Sequence, residues 1–69
     1  MTIFLVSASA GIEFYPYGYV EYPDLQSLLN DLIAHGHTIT GIPPGTAELS
    51  TKKGNLLYKF RDLAKIQLP

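Results

Sequence analysis

The chain has 69 residues, which is enough for one domain, and its composition of 46% hydrophobic and 16% charged residues is typical of a folded protein. The absence of cysteine excludes a disulfide scaffold, a thiolate zinc site and a cysteine nucleophile. A net charge of −1 argues against both a strongly basic nucleic-acid binder and a strongly acidic DNA mimic. Because so short a domain is marginally stable, a dimer or a stabilising partner is an open alternative.

The first predicted element is a strand over residues 2–9. It contains a continuous apolar run, residues 3–6, which is typical of a central strand buried on both faces. The alternative is a strand whose apolar outer face is covered by a dimer partner. Ala10 and Gly11 end the strand.

Residues 12–22 predict a second strand that is broken. Their strand propensity is high, but Pro16 cannot donate a ladder hydrogen bond and Gly18 weakens the middle. We predict a strand over 12–15, a kink at Pro16, and an edge-like strand over 17–22. Alternation then places Tyr17, Tyr19 and Glu21 on one face and Gly18, Val20 and Tyr22 on the other.

Residues 24–35 predict an amphipathic helix. Its apolar residues recur at helical spacing and are expected to face the core: Leu25, Leu28, Leu29, Leu32 and Ile33. Asp24 is suited to the N-cap, and Gly36 to the left-handed residue that follows a helix. His35, in the last turn, would interact favourably with the negative end of the helix dipole.

The remaining chain predicts a short strand and a hairpin. A strand over 37–42 is closed by Pro43, Pro44 and Gly45, and strands over 46–51 and 56–60 flank a turn at 52–55. The rival interpretation is a helix, because Leu56, Leu57, Phe60, Leu63 and Ala64 also fit a helical stripe. In the hairpin interpretation, a helical turn over 61–65 and an extended end over 66–68 follow the second strand. The expected fold is a small two-layer α+β domain, with one helix on a mainly antiparallel sheet of four to five strands.

No catalytic residue, metal site or cofactor site is predicted. His35 and His37 form an H-x-H pair, but a Gly cap separates them and no third ligand stands at a recognised spacing. The serines (Ser7, Ser9, Ser27, Ser50) lie in no nucleophile-elbow context. The Gly41-Ile42-Pro43-Pro44-Gly45 stretch lacks the lysine and the following helix of a phosphate loop.

The tyrosines are the unusual feature of the sequence. Four of the five lie within eight residues, and a strand cannot direct all of them into one small core. Exposed tyrosine offers a large, rigid contact area, so this stretch predicts a protein-binding face. The alternatives are ordinary strand tyrosines on a solvated face, or base stacking. The predicted binding residues are Tyr15, Tyr17, Tyr19, Glu21 and Tyr22.

Charge is segregated along the chain. Residues 1–51 carry five carboxylates and no Lys or Arg, whereas residues 52–69 carry five cations and Asp62. These cations form an alternative, nucleic-acid-binding patch: Lys52, Lys53, Lys59, Arg61 and Lys65. The opposite interpretation is that they neutralise the acidic residues within one molecule.

These features favour a non-enzymatic protein-binding module of the inhibitor or adaptor type, which acts by occupying the surface of another protein. Phage or mobile-element anti-defence proteins are one class of this size. A homodimer is a further option, nucleic acid is a less favoured partner, and a small enzyme is least favoured. The expected compartment is the cytoplasm, because the N-terminal apolar run is shorter than that of a signal peptide and no stretch reaches the roughly 18 apolar residues of a membrane span.

Overall fold

The computed structural model describes residues 1–41 and 48–65. Its elements, in chain order, are β1 (Thr2–Ser9), β2 (Tyr15–Tyr22), α1 (Leu25–Ala34), β3 (Thr38–Gly41), β4 (Glu48–Lys53), β5 (Leu56–Asp62) and a short 3₁₀ helix (Leu63–Lys65). The five strands form one sheet in the order β2-β1-β5-β4-β3, and every neighbouring pair is antiparallel. The predicted α+β fold, one helix on a five-stranded antiparallel sheet, is confirmed.

The core lies between α1 and one face of the sheet, which we call the inner face. Its buried residues come from the central strands and the helix: Phe4, Val6, Leu28, Leu32, Leu49 and Phe60. On the opposite, outer face, Ile3 and Leu5 of β1 are only half-buried. Among the described residues no second helix of α type and no second sheet covers that face. β1 is therefore central in the sheet, as predicted, but its outer face is only half-buried along residues 3, 5 and 7 and is buried at Ser9 alone.

Local signals in the sequence fix both ends of α1. The Asp24 carboxylate accepts a hydrogen bond of 2.8 Å from the Ser27 amide, as an N-cap residue does. After the helix, Gly36 has a φ of +88°, and the amides of Gly36 and His37 donate to the carbonyls of Ile33 and Leu32. This double hydrogen bond is a Schellman motif, so the predicted role of Gly36 is confirmed.

The predicted apolar stripe of α1 is wider than the surface that the helix buries. Leu28 and Leu32 are buried and Leu29 packs against the core, but Leu25 is exposed and Ile33 is 59% exposed. The prediction that Leu25 and Ile33 face the core is wrong. Successive helix residues are rotated by about 100°, so Ile33, next to buried Leu32, lies at the margin of the stripe. Leu25 lies at the N-terminal end of the helix, one turn before buried Leu28.

The hairpin of β4 and β5 is confirmed, and the rival C-terminal helix is excluded. The register is unbroken from Glu48 opposite Arg61 to Lys53 opposite Leu56. The turn is tighter than predicted, with only Gly54 and Asn55 between the strands. Gly54 has a φ of +61° and Asn55 a negative φ, which matches a type II′ turn.

Several smaller expectations have definite outcomes. The strand after the helix is confirmed as Thr38–Gly41. The helical turn predicted over 61–65 is confirmed only as the 3₁₀ helix Leu63–Lys65, because residues 61 and 62 belong to β5. Lys52 and Lys53 are exposed, as predicted. The Pro43-Pro44-Gly45 closure, the start of the predicted strand at 46–47 and the extended end at 66–68 lie outside the described residues.

The predicted strand over residues 12–15 is mostly absent. β2 begins at Tyr15, and Ile12 is 96% exposed in the connection from β1. Continuing the register places Phe14 opposite Ser9, the last residue of β1, so residues 12 and 13 have no β1 residue opposite them. The predicted irregularity near Pro16 is confirmed: Val6 lies opposite Gly18 and Ser7 opposite Pro16, which leaves one extra residue in β2.

Candidate functional site

β2 forms one edge of the sheet and carries exposed aromatic side chains along that edge. In the part of the chain that the structure describes, β2 pairs only with β1. Tyr15, Tyr17 and Tyr19 are 62%, 74% and 63% exposed. We call these three residues the aromatic edge. Their exposure agrees with the expectation that at least two of the four clustered tyrosines face solvent.

The aromatic edge is not confined to one face of the sheet. Tyr15 lies opposite Ala8, at an inner-face position, whereas Tyr19 lies opposite Leu5, at an outer-face position. Tyr17 is the extra residue of the bulge, so the alternation that would have joined it to Tyr19 is broken there. A molecule that contacts all three tyrosines must therefore straddle the edge rather than cover one face.

Glu21 and Tyr22, the other two predicted binding residues, differ from each other. Glu21 is exposed on the outer face opposite Ile3, and it adds a negative charge beside the aromatic edge. Tyr22 is half-buried and packs against the core, and its hydroxyl donates a hydrogen bond to the Asp31 carboxylate of α1. That hydrogen bond, together with burial and the Asp31 charge, raises the pKa of Tyr22. Tyr22 thus attaches β2 to the helix, whereas the Glu21 side chain is exposed to other molecules.

Glu13 extends the acidic character of this edge. Its carboxylate accepts a hydrogen bond of 2.9 Å from the Tyr15 hydroxyl. The aromatic edge is therefore bordered by Glu13 at its start and by Glu21 near its end, with no Lys or Arg in the sequence between them.

The five cations of the alternative patch are not brought together. Register places Lys52, Lys59 and Arg61 on the outer face, but Lys53 falls on the inner face and Lys65 lies in the 3₁₀ helix. The Lys59 ammonium is 3.9 Å from the Glu48 carboxylate and 4.3 Å from the centre of the Phe14 ring. The outer-face group is thus three cations, of which one already has two partners.

The two histidines diverge, as predicted. His35 Nδ1 lies 2.8 Å from the Asp31 carbonyl oxygen at the end of α1. His37 Nδ1 instead lies 2.9 Å from the hydroxyl of Thr51, a buried residue on β4. Within the described ranges, no three His, Cys, Asp or Glu side chains are grouped as metal ligands.

A cleft of about 220 Å³ opens on the inner face beyond the C-terminal end of α1. It lies between β2 and the β4–β5 hairpin, and the residues that line it include Val6, Tyr17, His37, Lys53 and Tyr58. The His37 and Tyr58 ring centres are 5.1 Å apart at an angle of 59°. This cleft was not predicted from the sequence. Strand alternation places Lys52 and Lys53 on opposite faces of β4, and it could have indicated that Lys53 faces the helix side of the sheet.

Comparison of the chain with protein families, with curated proteins and with solved structures finds no match. In residues 1–41 and 48–65, no helix has the length and apolar character needed to cross a membrane. The aromatic edge and the inner-face cleft must therefore be interpreted from their own chemistry.

Proposed function

We propose that this chain is a non-enzymatic protein-binding module that holds its partner through the aromatic edge. The observation that carries the proposal is the exposure of Tyr15, Tyr17 and Tyr19 on an edge strand. Tyrosine is enriched among the residues that dominate binding energy at protein interfaces. An unpaired strand edge also offers main-chain donors and acceptors to an incoming strand.

The geometry favours a partner segment that runs along β2. Because Tyr15 and Tyr19 lie at positions of opposite faces, an added strand would contact both through its own alternating side chains. Pro16 has no amide hydrogen, so the pairing is expected along residues 17–22. Glu13 and Glu21 favour a segment that carries Lys or Arg, through charge complementarity.

The inhibitor or adaptor role, a phage or mobile-element origin and a cytoplasmic location belong to the same proposal. They are supported by the small size of the chain and by its sequence, and not by any particular contact. A second copy of the chain is one partner that this edge would accept.

The test is a capture experiment with three tagged forms of the full chain, applied to an extract of the cells that produce it. The forms are the wild type, the double variant Tyr17→Ser/Tyr19→Ser, and the control Ile12→Ser, which alters an even more exposed apolar residue outside β2. Bound proteins are quantified by mass spectrometry, and folding of each form is checked by circular dichroism.

We expect a defined protein that the wild type and the control retain and that the double variant binds at least about tenfold more weakly, since truncation of a central contact residue costs about 2 kcal/mol. Equal retention by the folded double variant would place the contact surface elsewhere. Failure of the wild type to retain any protein or to self-associate would contradict the proposal as a whole.

Nucleic acid is the second candidate, favoured only by the outer-face group Lys52, Lys59 and Arg61. The test is a titration of the same wild-type protein with generic DNA and RNA at several salt concentrations. Phosphate contacts make such affinity fall steeply with salt. The Lys59–Glu48 contact and the acidic residues elsewhere lead us to expect no binding at physiological salt.

A further inference from the structure

The inner-face cleft has a rigid aromatic wall. His37 is fixed by its contact with the buried Thr51 hydroxyl, and its ring packs against Tyr58. Tyr58 in turn stacks on the buried ring of Phe60, with centres 6.3 Å apart and an angle of 25°. Flat rings that neighbouring residues hold in place present a surface suited to another flat ring.

The charge of the cleft is positive. Lys53 and His37 are the only side chains with an ionisable nitrogen among the described residues that line it, and no carboxylate lines it. Burial, then Lys53, then His35 lower the pKa of His37, so the imidazole is neutral at neutral pH and Lys53 supplies the formal charge. Lys53 makes no ion pair within the described residues.

The size of the cleft limits what it can hold. Its volume of about 220 Å³ lies below the roughly 300–1,000 Å³ that is typical of sites for drug-sized ligands. A ligand of one ring with a short substituent fits that volume.

We propose that this cleft binds a small aromatic carboxylate, whose ring lies against Tyr58 and His37 and whose carboxylate contacts the Lys53 ammonium. The cleft shares Tyr17 and Tyr19 with the aromatic edge. The proposal nevertheless rests on the Tyr58 and His37 rings and on Lys53, so it holds whether or not β2 binds a protein. It gives Lys53 a role that Lys52, on the opposite face, does not share.

The test is a titration of the ¹⁵N-labelled full chain, followed by two-dimensional NMR at neutral pH. The probe is phenylacetate, and phenylacetamide is the uncharged probe of matched shape. We expect saturable shifts confined to the amides that line the cleft, those around His37, Lys53 and Tyr58 and those of residues 17–20, with a dissociation constant below about 10 mM. The amide probe should bind more weakly by about fivefold, which is the effect of one exposed charge pair.

Lys53→Gln and Lys52→Gln are the matched variants, because these neighbouring residues are both exposed and lie on opposite faces of β4. We expect about a fivefold loss of phenylacetate affinity in Lys53→Gln and no change in Lys52→Gln. Three results would overturn the proposal: no saturable shift, equal affinity for the acid and the amide, or equal loss in both variants.

Discussion

Two hairpins in the described part of the chain, β1–β2 and β4–β5, differ in how they place their aromatic residues. In the β4–β5 hairpin, a two-residue turn joins strands of unbroken register, Phe60 is buried and Tyr58 packs against the core. In the β1–β2 hairpin, a longer connection leads into a bulged edge strand, and three tyrosines are exposed. Both hairpins place a phenylalanine in the core, Phe4 in β1 and Phe60 in β5, but of these four strands only β2 leaves aromatic side chains mostly exposed.

Strand propensity alone does not decide whether the bulky side chains of a strand are buried. Alternation in β4 and β5 places the bulky residues on the face that α1 covers, so their burial stabilises the fold. In β2 only Val20 and Tyr22 reach the core, and the other tyrosines lie beyond it. If β4–β5 supplies stability and β2 supplies a binding edge, substitutions in the two hairpins should have very different effects.

The largest effect is expected in β4. Leu49→Ala removes a buried side chain from the core and should lower the free energy of unfolding by about 2–5 kcal/mol, which would unfold much of so small a domain. Chemical denaturation followed by circular dichroism measures the change. A midpoint equal to that of the wild type would show that the β4–β5 hairpin does not anchor the core.

Gly54→Ala should have the next largest effect. Gly54 has a φ of +61°, a conformation that costs an L-residue about 1–2 kcal/mol, so the two-residue turn should weaken by that amount. Asn55→Ala is the matched control, because Asn55 has a negative φ. The measurement is the thermal unfolding midpoint of each variant. An equal fall of the midpoint in the two variants would contradict the type II′ turn.

Tyr22→Phe tests the one tyrosine of β2 that is attached to the helix. Loss of its hydrogen bond to Asp31 should cost about 1 kcal/mol, because the half-buried carboxylate that is left can still be hydrated. Tyr19→Phe should cost less than about 0.5 kcal/mol, since the Tyr19 side chain is exposed. Urea unfolding of the two variants measures both changes in the free energy of unfolding. Equal changes would mean that Tyr22 stabilises the fold no more than Tyr19 does.

His37 should make the free energy of unfolding depend on pH. Its pKa is lowered in the folded protein from an ordinary value of 6.5, so the unfolded chain binds the proton more readily. Stability should therefore fall as the pH drops below about 6.5, until His37 is also protonated in the folded state. His37→Gln should flatten this part of the stability profile, and an unchanged slope would assign the effect to another group.

The smallest effect is expected at the aromatic edge. Tyr17→Ser/Tyr19→Ser should change the free energy of unfolding by less than about 0.5 kcal/mol per residue, because both side chains are mostly exposed. Denaturation of the isolated protein is the measurement. A loss comparable to that of Leu49→Ala would mean that these tyrosines are structural and would erase the contrast between the hairpins.

Features that depend on a few neighbouring residues were predictable from the sequence. The Asp24 cap, the Gly36 Schellman motif and the turn at Gly54 each follow from local backbone chemistry. The exposure of Ile33 was not predictable, because it depends on how much of the sheet the helix covers. The absence of a strand at residues 12–13 likewise depends on where β1 ends.

The candidate sites likewise combine features that were predictable from the sequence with features that depend on the whole fold. The exposure of several tyrosines followed from alternation, but their distribution over both faces depends on a bulge whose exact position the sequence does not reveal. The cleft required His37, Lys53 and Tyr58 to meet from three separate segments, and only the sheet topology brings them together. The placement of Lys52 and Lys53 on opposite faces of the sheet could have been predicted from strand alternation.

The sheet order has a consequence for how the protein folds. β5 lies between β1 and β4, although it is the last strand in the described chain to be synthesised. Until residue 62 has left the ribosome, β1 has one edge without its partner and β4 lacks one of its two neighbours. Closing the β1–β5 pair joins segments about 50 residues apart, which is slow compared with a local hairpin. We therefore expect the domain to complete its fold only after β5 has left the ribosome, in a step that the β1–β5 pairing completes.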